Sequence, residues 1–588
     1  MRALRVCCLG AGLLLAGHAW ADDCHLKDYG TLPVEMIGDR ATTMVKINGV
    51  DTRFILDTGA FFNIMSSANA SALGLKLEPA PFGYRVSGIG GSANIEQAHV
   101  KAFGILGTTL QNVDFIVGGT DAGNGLLGAN LLDFADLELD LANGKVTLFK
   151  VDHCDKTSLA YWAKDGNYNV ADILPADSPF DRRTFLEVTI NGQKVRAALD
   201  SGAAATLLSR EAAERAGINL AGPDVKTGSR SIGIGAKPVR TWTVKVDAFS
   251  VGTETIQHSQ MQVIDGKIGD RTDMLLGVDF ILAHHMFVAN SKKKVYFTYN
   301  GGRVFTFATT GENGDKSAAG ASPDGTTATP KSAEEYALLG QAHLSRGESQ
   351  AAVADLNEAI RMAPDQASYY VARAKAHGVD KQSDAALADL DKALDLDPKN
   401  GDALLMRAEL HIAQKDRADA ASDVAAANAV TPPGSTRERS LAALYLQLDQ
   451  PAAALPLLDD WIRLHSDDGL LGSALNERCR ARALSNQMLD DALKDCRKAI
   501  RRDGENPSYL DSLGWVQLRL GHYPEAIKAY EQAVAQNPRY AWPRYGLGLA
   551  RIRSGQVEAG HADLDAARAL DPSIESRASQ YGLTATAP

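Results

Sequence analysis

Two short segments of the chain place an aspartate in the same setting. The first is Asp57-Thr58-Gly59-Ala60, and the second is Asp200-Ser201-Gly202-Ala203, 143 residues later. Two carboxyls held about 3 Å apart cannot both ionise, so they share one proton. The charged member can then take a proton from a water that attacks a carbonyl carbon, while the protonated member donates to the carbonyl oxygen. That chemistry needs neither a metal nor a covalent intermediate. One Asp-Thr-Gly alone is a weak signal, because such tripeptides are common in turns. The surroundings of the two aspartates strengthen it.

Each aspartate sits inside a longer series that recurs in order and spacing. Ile47-Asn48-Gly49 precedes the first, and Ile190-Asn191-Gly192 the second. Asn-Gly between alternating apolar residues predicts a tight hairpin. Ser66 and Ser209 follow at +9, and Gly74 and Gly217 at +17. A glycine-rich hairpin comes next, with Gly88-Ile89-Gly90 in one copy and Gly233-Ile234-Gly235 in the other. Leu127-Gly128 and Leu276-Gly277 follow, and Lys145-Val146 and Lys294-Val295 close the two series. Short strands and turns dominate, so each copy reads as a small all-β unit of about 120 residues.

This duplicated series resembles the retropepsin-like aspartic proteases over about residues 31–150 and 180–308. The resemblance implies two lobes meeting at a two-fold axis, each giving one catalytic aspartate, Asp57 and Asp200. Both halves stand in tandem, so the chain resembles a fused pseudo-dimer, and pairing within the chain is favoured by high effective concentration. By the same resemblance, the Thr58 and Ser201 hydroxyls brace the loops across the axis. Gly59 and Gly202 are expected to let the backbone turn beside each aspartate. The segments around Gly88, Ile89, Gly90 and Gly233, Ile234, Gly235 are expected to be flaps. Leu127, Gly128, Leu276 and Gly277 are expected to support the aspartate loops structurally. The first flap has Gly91 where the second has Ala236 and Lys237-Pro238, so the two should not move alike. Tyr161, Trp162 and Tyr168, in the segment between the lobes, are expected to pack on them.

The second half has a different texture. Residues 309–332 are rich in Gly, Ser, Thr, Pro and Asp and read as a flexible linker. Beyond it a period of 34 appears: Pro364, Pro398 and Pro432, then Pro538 and Pro572, with Ala359, Ala393 and Ala427 keeping the step. Leu339-Gly340, Leu513-Gly514 and Leu547-Gly548 mark first helices. The pattern resembles the tetratricopeptide repeat, two antiparallel helices per unit. It implies about seven units over 333–575, two of them degenerate with a four-residue insertion between Pro432 and Pro538. Such a solenoid carries no chemistry of its own but offers a curved surface for a protein partner. His343, His377 and His411 share the 34 step and read as a repeated helix-face position rather than as metal ligands.

At the N-terminus, Arg2 and Arg5 precede an apolar stretch of 12 residues, 6–17, and Ala19-Trp20-Ala21 fits a signal-peptide cleavage site. The expected localisation is therefore secreted or periplasmic. Removal of that segment leaves Cys24, Cys154, Cys479 and Cys496. Four cysteines permit three connectivities, and their positions favour Cys24–Cys154 and Cys479–Cys496. Lys+Arg 61 against Asp+Glu 72 gives −11, which argues against nucleic acid as a partner. The chain has no apolar run of about 20 residues, so no membrane span is expected after cleavage.

The domain reading is a signal peptide at 1–21, lobe 1 at 22–150, an inter-lobe segment at 151–179 and lobe 2 at 180–308. The linker at 309–332, the repeats at 333–575 and a tail at 576–588 follow. The expected fold class is multidomain: an all-β double-lobed aspartic protease fold, then an all-α solenoid. The expected function is an exported aspartic endopeptidase with neither cofactor nor metal. Its expected partners are a protein or peptide substrate and a protein on the array. The alternative is a non-catalytic peptide-binding scaffold in the cell envelope. The presence of both aspartates, each with its glycine, favours the enzyme.

Overall fold

The computed structural model describes residues 24–305 and 330–585, apart from 122, 124, 133–134, 164–165, 179–180, 229, 236, 270 and 303. The expected signal peptide and most of the expected linker lie outside the described residues. The first half is all β and the second is a run of helices.

Each lobe is built on the same plan. In lobe 1, Arg40–Ile47 and Val50–Leu56 form a hairpin whose turn places Asn48 at φ 50° and Gly49 at φ 89°. Lobe 2 repeats this with Phe185–Ile190 and Gln193–Leu199, turning at Asn191, φ 50°, and Gly192, φ 83°. Two consecutive residues at positive φ match the twist of the flanking strands, which is why Asn-Gly recurs. The second strand of each hairpin runs straight into its aspartate. It pairs in parallel with the leucine pair that precedes Gly128 or Gly277. A long hairpin, Ile95–Ile105 with Thr108–Gly118 or Thr241–Val251 with Glu254–Ile264, completes each lobe. Ser66 and Ser209 cap short helices, each accepting the N–H three residues on.

A shared sheet joins the lobes. From one edge it runs His25–Pro33, Lys145–Asp152, Asp136–Asp140, His284–Ala289, Lys294–Tyr299 and Asn169–Leu174, and it continues into Phe185–Ile190 and the other strands of lobe 2. The inter-lobe pairing is antiparallel, with Leu137 opposite Val288. The segment between the lobes contributes the strand Asn169–Leu174, which pairs with Lys294–Tyr299 on one side and with Phe185–Ile190 of lobe 2 on the other. Trp162 stacks on His285 at 3.8 Å and donates to Thr298 at 2.8 Å. Tyr161 donates to the buried Glu138 carboxylate, which also meets His285 at 2.9 Å. Tyr168 packs at 5.9 Å from Tyr296. Cys24 and Cys154 are bonded at one edge of this sheet.

From Ala333–Ser345 to Val557–Leu570 the described helices form seven antiparallel pairs, and Ile574–Gln580 covers the end. The tail beginning at 576 is thus partly helical, with Leu583 buried against the last unit. The four extra residues are not one insertion. The first helices begin at Gly401, Thr436, Leu471 and Pro507, so steps of 35, 35 and 36 replace three steps of 34. Gly340 leaves room for Leu356 of its own unit, where a Cβ would come within 2.8 Å of the Leu356 side chain. Asp389, Asp423 and Asp495 are buried, and each takes two bonds from an arginine: Arg373, Arg407 and Arg478. His343, His377 and His411 face Asp355, Asp389 and Asp423. Cys479 and Cys496 join the two helices of the fifth pair.

The array packs on lobe 1 through its first helix. Gln341 donates to Glu35 at 3.1 Å, and Ser345 to the Gly38 carbonyl at 2.6 Å.

Candidate active site

The two aspartate loops meet at the floor of a cleft of about 1250 Å³. Asp57 and Asp200 are both buried, and their carboxyls hydrogen-bond to each other. Each carboxyl also accepts two backbone N–H groups from its own loop. Gly59 and Ala60 donate to Asp57 at 3.0 and 2.7 Å, and Gly202 and Ala203 to Asp200 at 2.9 and 3.0 Å.

The hydroxyls cross between the lobes. Thr58 Oγ1 donates to the Leu199 carbonyl at 2.8 Å and accepts the Ser201 N–H at 3.0 Å. Ser201 Oγ donates to the Leu56 carbonyl at 2.7 Å and accepts the Thr58 N–H at 3.1 Å. The four bonds tie the loops together with near two-fold symmetry. The glycines differ from the sequence expectation in their reason. Neither Gly59 nor Gly202 has the left-handed φ that favours glycine. A Cβ on Gly59 would instead fall on the Asp200 carboxyl, and one on Gly202 on the Asp57 carboxyl. Their lack of a side chain lets the carboxyls approach.

The leucine-glycine segments support both loops. Leu127 and Leu276 accept the N–H of Asp57 and Asp200, each at 2.9 Å. Gly128 donates to Asn63 Oδ1 and Gly277 to Thr206 Oγ1, both at 3.0 Å. Asn63 and Thr206 occupy equivalent places, as do Asn130 and Asp279. The buried Asp279 accepts the Thr206 N–H at 2.8 Å and its hydroxyl at 2.6 Å. The sequence marks none of the four, because a different residue type stands in each copy.

Over the cleft, Val86–Gly88 and Gly91–Ala93 form the lobe-1 flap as a paired hairpin with Gly90 at φ 88°. Among the described residues the lobe-2 flap has a single bridge, Ser231 to Val239. The tips touch: Gly235 donates to the Ile89 carbonyl at 3.0 Å and Lys237 to the Gly90 carbonyl at 3.2 Å. Gly88 and Gly233 lie against the opposite flap's isoleucine, Ile234 and Ile89 respectively. Each tip isoleucine packs in the other lobe. Ile89 joins Leu207, Ile264 and Ile268, while Ile234 joins Ile55, Ile64 and Leu126. The walls differ. Lobe 1 presents Phe61 and Phe62, the latter stacked on Tyr84 at 5.2 Å, where lobe 2 has Ala204 and Ala205.

Both acids are pushed upward by burial. Burial, then the charge of Asp200, hold the Asp57 carboxyl well above the usual carboxylate range. Burial raises Asp200 too, but it is opposed by the hydrogen bond with Asp57, the two N–H groups and the Arg183 guanidinium. Arg183 is itself held by Asp181 through bonds of 2.9 and 2.7 Å. Leu470, from the repeat array, also lines the cleft. Neither Arg183 nor Leu470 carries a sequence signal for this placement.

A family model described as aspartyl protease matches residues 43–131 and 186–280, the segments that carry both loops and flaps. Tetratricopeptide repeat models match 333–366, 371–434 and 516–555. The chain matches a tandem aspartyl protease fused to a tetratricopeptide repeat array. Similar solved structures include the following three. YrrB, a TPR protein with an unusual peptide-binding site, is 21% identical with a TM-score of 0.28, over 32% of this chain and 95% of that chain. A tetratricopeptide repeat protein from Parabacteroides merdae is 16% identical with a TM-score of 0.32, over 43% and 99%. Pseudomonas aeruginosa pilF is 20% identical with a TM-score of 0.29, over 35% and 92%. No curated protein matches the chain.

Proposed function

We propose that the chain is an exported aspartic endopeptidase whose repeat array recruits or positions a protein substrate or partner. The observation that carries this reading is the hydrogen-bonded Asp57–Asp200 pair beneath two flaps. Asp200 serves as the charged member, favoured by Arg183, and Asp57 holds the shared proton. Asp200 takes a proton from water as the water oxygen bonds to the scissile carbonyl carbon. Asp57 gives its proton to the carbonyl oxygen, producing a neutral diol. On collapse, the C–N bond breaks and the nitrogen takes the proton from Asp200. A diol hydroxyl returns a proton to Asp57 as the carbonyl re-forms. One water is consumed, a carboxyl and an amine are released, and the pair is restored. The flaps part at the Gly235–Ile89 contact to admit an extended peptide, then hydrogen-bond along its backbone.

Export is supported by the Arg2/Arg5, apolar and Ala19-Trp20-Ala21 series and by two disulfides, which persist in oxidising compartments. The reading is tested by exposing the exported protein to a peptide library and mapping new termini. Internal cleavage, suppressed by a statine-type inhibitor and insensitive to chelators, is expected. Peptides bound but left intact would favour a non-catalytic scaffold.

A further inference from the structure

The turn His465–Leu470 joins the array helices Pro451–Leu464 and Leu471–Leu484 and lies on the rim of the cleft. His465 Nε2 meets Asp121 Oδ2 of lobe 1 at 3.1 Å, with side chains 1% and 4% exposed. The His465 ring stacks on Trp461 at 4.1 Å, and its Nδ1 reaches the Trp461 carbonyl at 2.8 Å. The Asp121 N–H donates to Asp468 at 2.8 Å. A buried polar contact of this kind resists sliding, since loss of one partner leaves a buried polar atom of the other unsatisfied.

The same turn reaches the lobe-2 flap. The Gly469 N–H donates to Thr120 Oγ1 at 3.0 Å, and that hydroxyl donates to the Gly235 carbonyl at the flap tip at 3.1 Å. The Thr120 N–H donates to the Ile234 carbonyl at 3.2 Å. A Cβ on Gly469 would meet Ile232 Cγ2 at 2.7 Å, so the turn lies directly against the flap. At the foot of the flap, Arg230 donates to the Asp503 carbonyl of the array at 3.0 Å. The lobe-1 flap is held by its own hairpin. Among the described residues the lobe-2 flap has one bridge, and its other fixed points come from the lobe-1 flap tip, Thr120 and the array.

We infer that the array is a working part of the cleft: the turn His465–Leu470 positions the lobe-2 flap, and Leu470 forms one wall of the substrate channel. The inference rests on the protease reading for its substrate and deepens it. His465 and Gly469 are positioning residues, acting through Thr120, Asp121 and Ile232. Substrate binding at that end of the cleft then depends on the array as well as on the lobes.

The test uses the full chain and two readouts. The first is hydrogen exchange over residues 231–239 in the wild type and in His465→Ala, His465→Gln and Gly469→Ala. His465→Ala and Gly469→Ala should speed exchange at the Gly235 and Lys237 amides by roughly threefold to tenfold, the scale of one lost hydrogen bond. His465→Gln keeps a donor toward Asp121 and should stay near wild type. The second is peptide cleavage, where Gly469→Ala should raise KM with kcat nearly unchanged. Leu470→Ala should alter side-chain preference at one substrate position only. Unchanged flap exchange in both disruptive variants would overturn the inference, as would a uniform loss of kcat. If the wild type cleaves nothing while flap exchange follows the variants, the protease reading fails and the positioning role stands.

Discussion

Thr58 and Ser201 make four hydrogen bonds across the lobes, two with each other and two through hydroxyls that donate to the Leu199 and Leu56 carbonyls. Thr58→Val keeps the shape and removes the hydroxyl from two of them. It should lower unfolding stability by roughly 1–3 kcal/mol, read by urea titration, because the partners are buried. The acids themselves predict a pH dependence. Asp57 is raised well above its ordinary 3.8, by burial and then by Asp200, and Asp279 is raised to about 6, by burial. A group whose folded pKa is raised contributes stability that is full below the unfolded value and is lost as pH rises through the folded one. The lobes should therefore lose part of their stability as pH rises through about 6, and Asp279→Asn should remove that part of the slope. A variant slope equal to that of the wild type would contradict the assignment. At this scale the two aspartates and their glycines were legible, because they recur at a fixed offset. Asn63 with Thr206, and Asn130 with Asp279, were not, because equivalent places carry different residue types.

The Asn-Gly hairpins and the 34-residue period were legible as elements, since both are local patterns. The shared sheet was not. Its inter-lobe pairing joins Leu137 to Val288, and alternation within a strand tells which side chains share a face but not which distant strand lies beside it. The cysteine pairs link elements that the pattern had already separated. Cys24–Cys154 closes a 130-residue separation and Cys479–Cys496 one of 17. Replacing the first pair with alanines should cost roughly 4–5 kcal/mol and the second roughly 3 kcal/mol on a loop-closure argument. The second loss should fall on the fifth helix pair alone, and exchange mapping of 471–503 would show it. Equal losses spread over the whole chain would contradict that placement.

For the whole molecule, the sequence suggested two parts on a linker, whereas the structure packs the array against lobe 1 and the cleft rim. The residues responsible, Glu35, Asp121, Gln341 and His465, are ordinary surface types whose partners lie about 300 positions away or more. If a cleavable site is placed within 309–329 and cut after folding, the two fragments should still co-elute on size exclusion. Separate elution would show that these contacts do not hold by themselves. The central claim concerns the acid pair, and its most direct measurement is kcat/KM on a cleaved peptide for the wild type, Asp57→Asn and Asp200→Asn, with folding checked by near-ultraviolet circular dichroism. Each variant should fall by roughly 10³-fold or more, because neither acid can manage both proton transfers alone. A folded variant of either kind that kept activity within about tenfold of the wild type would contradict the shared-proton mechanism.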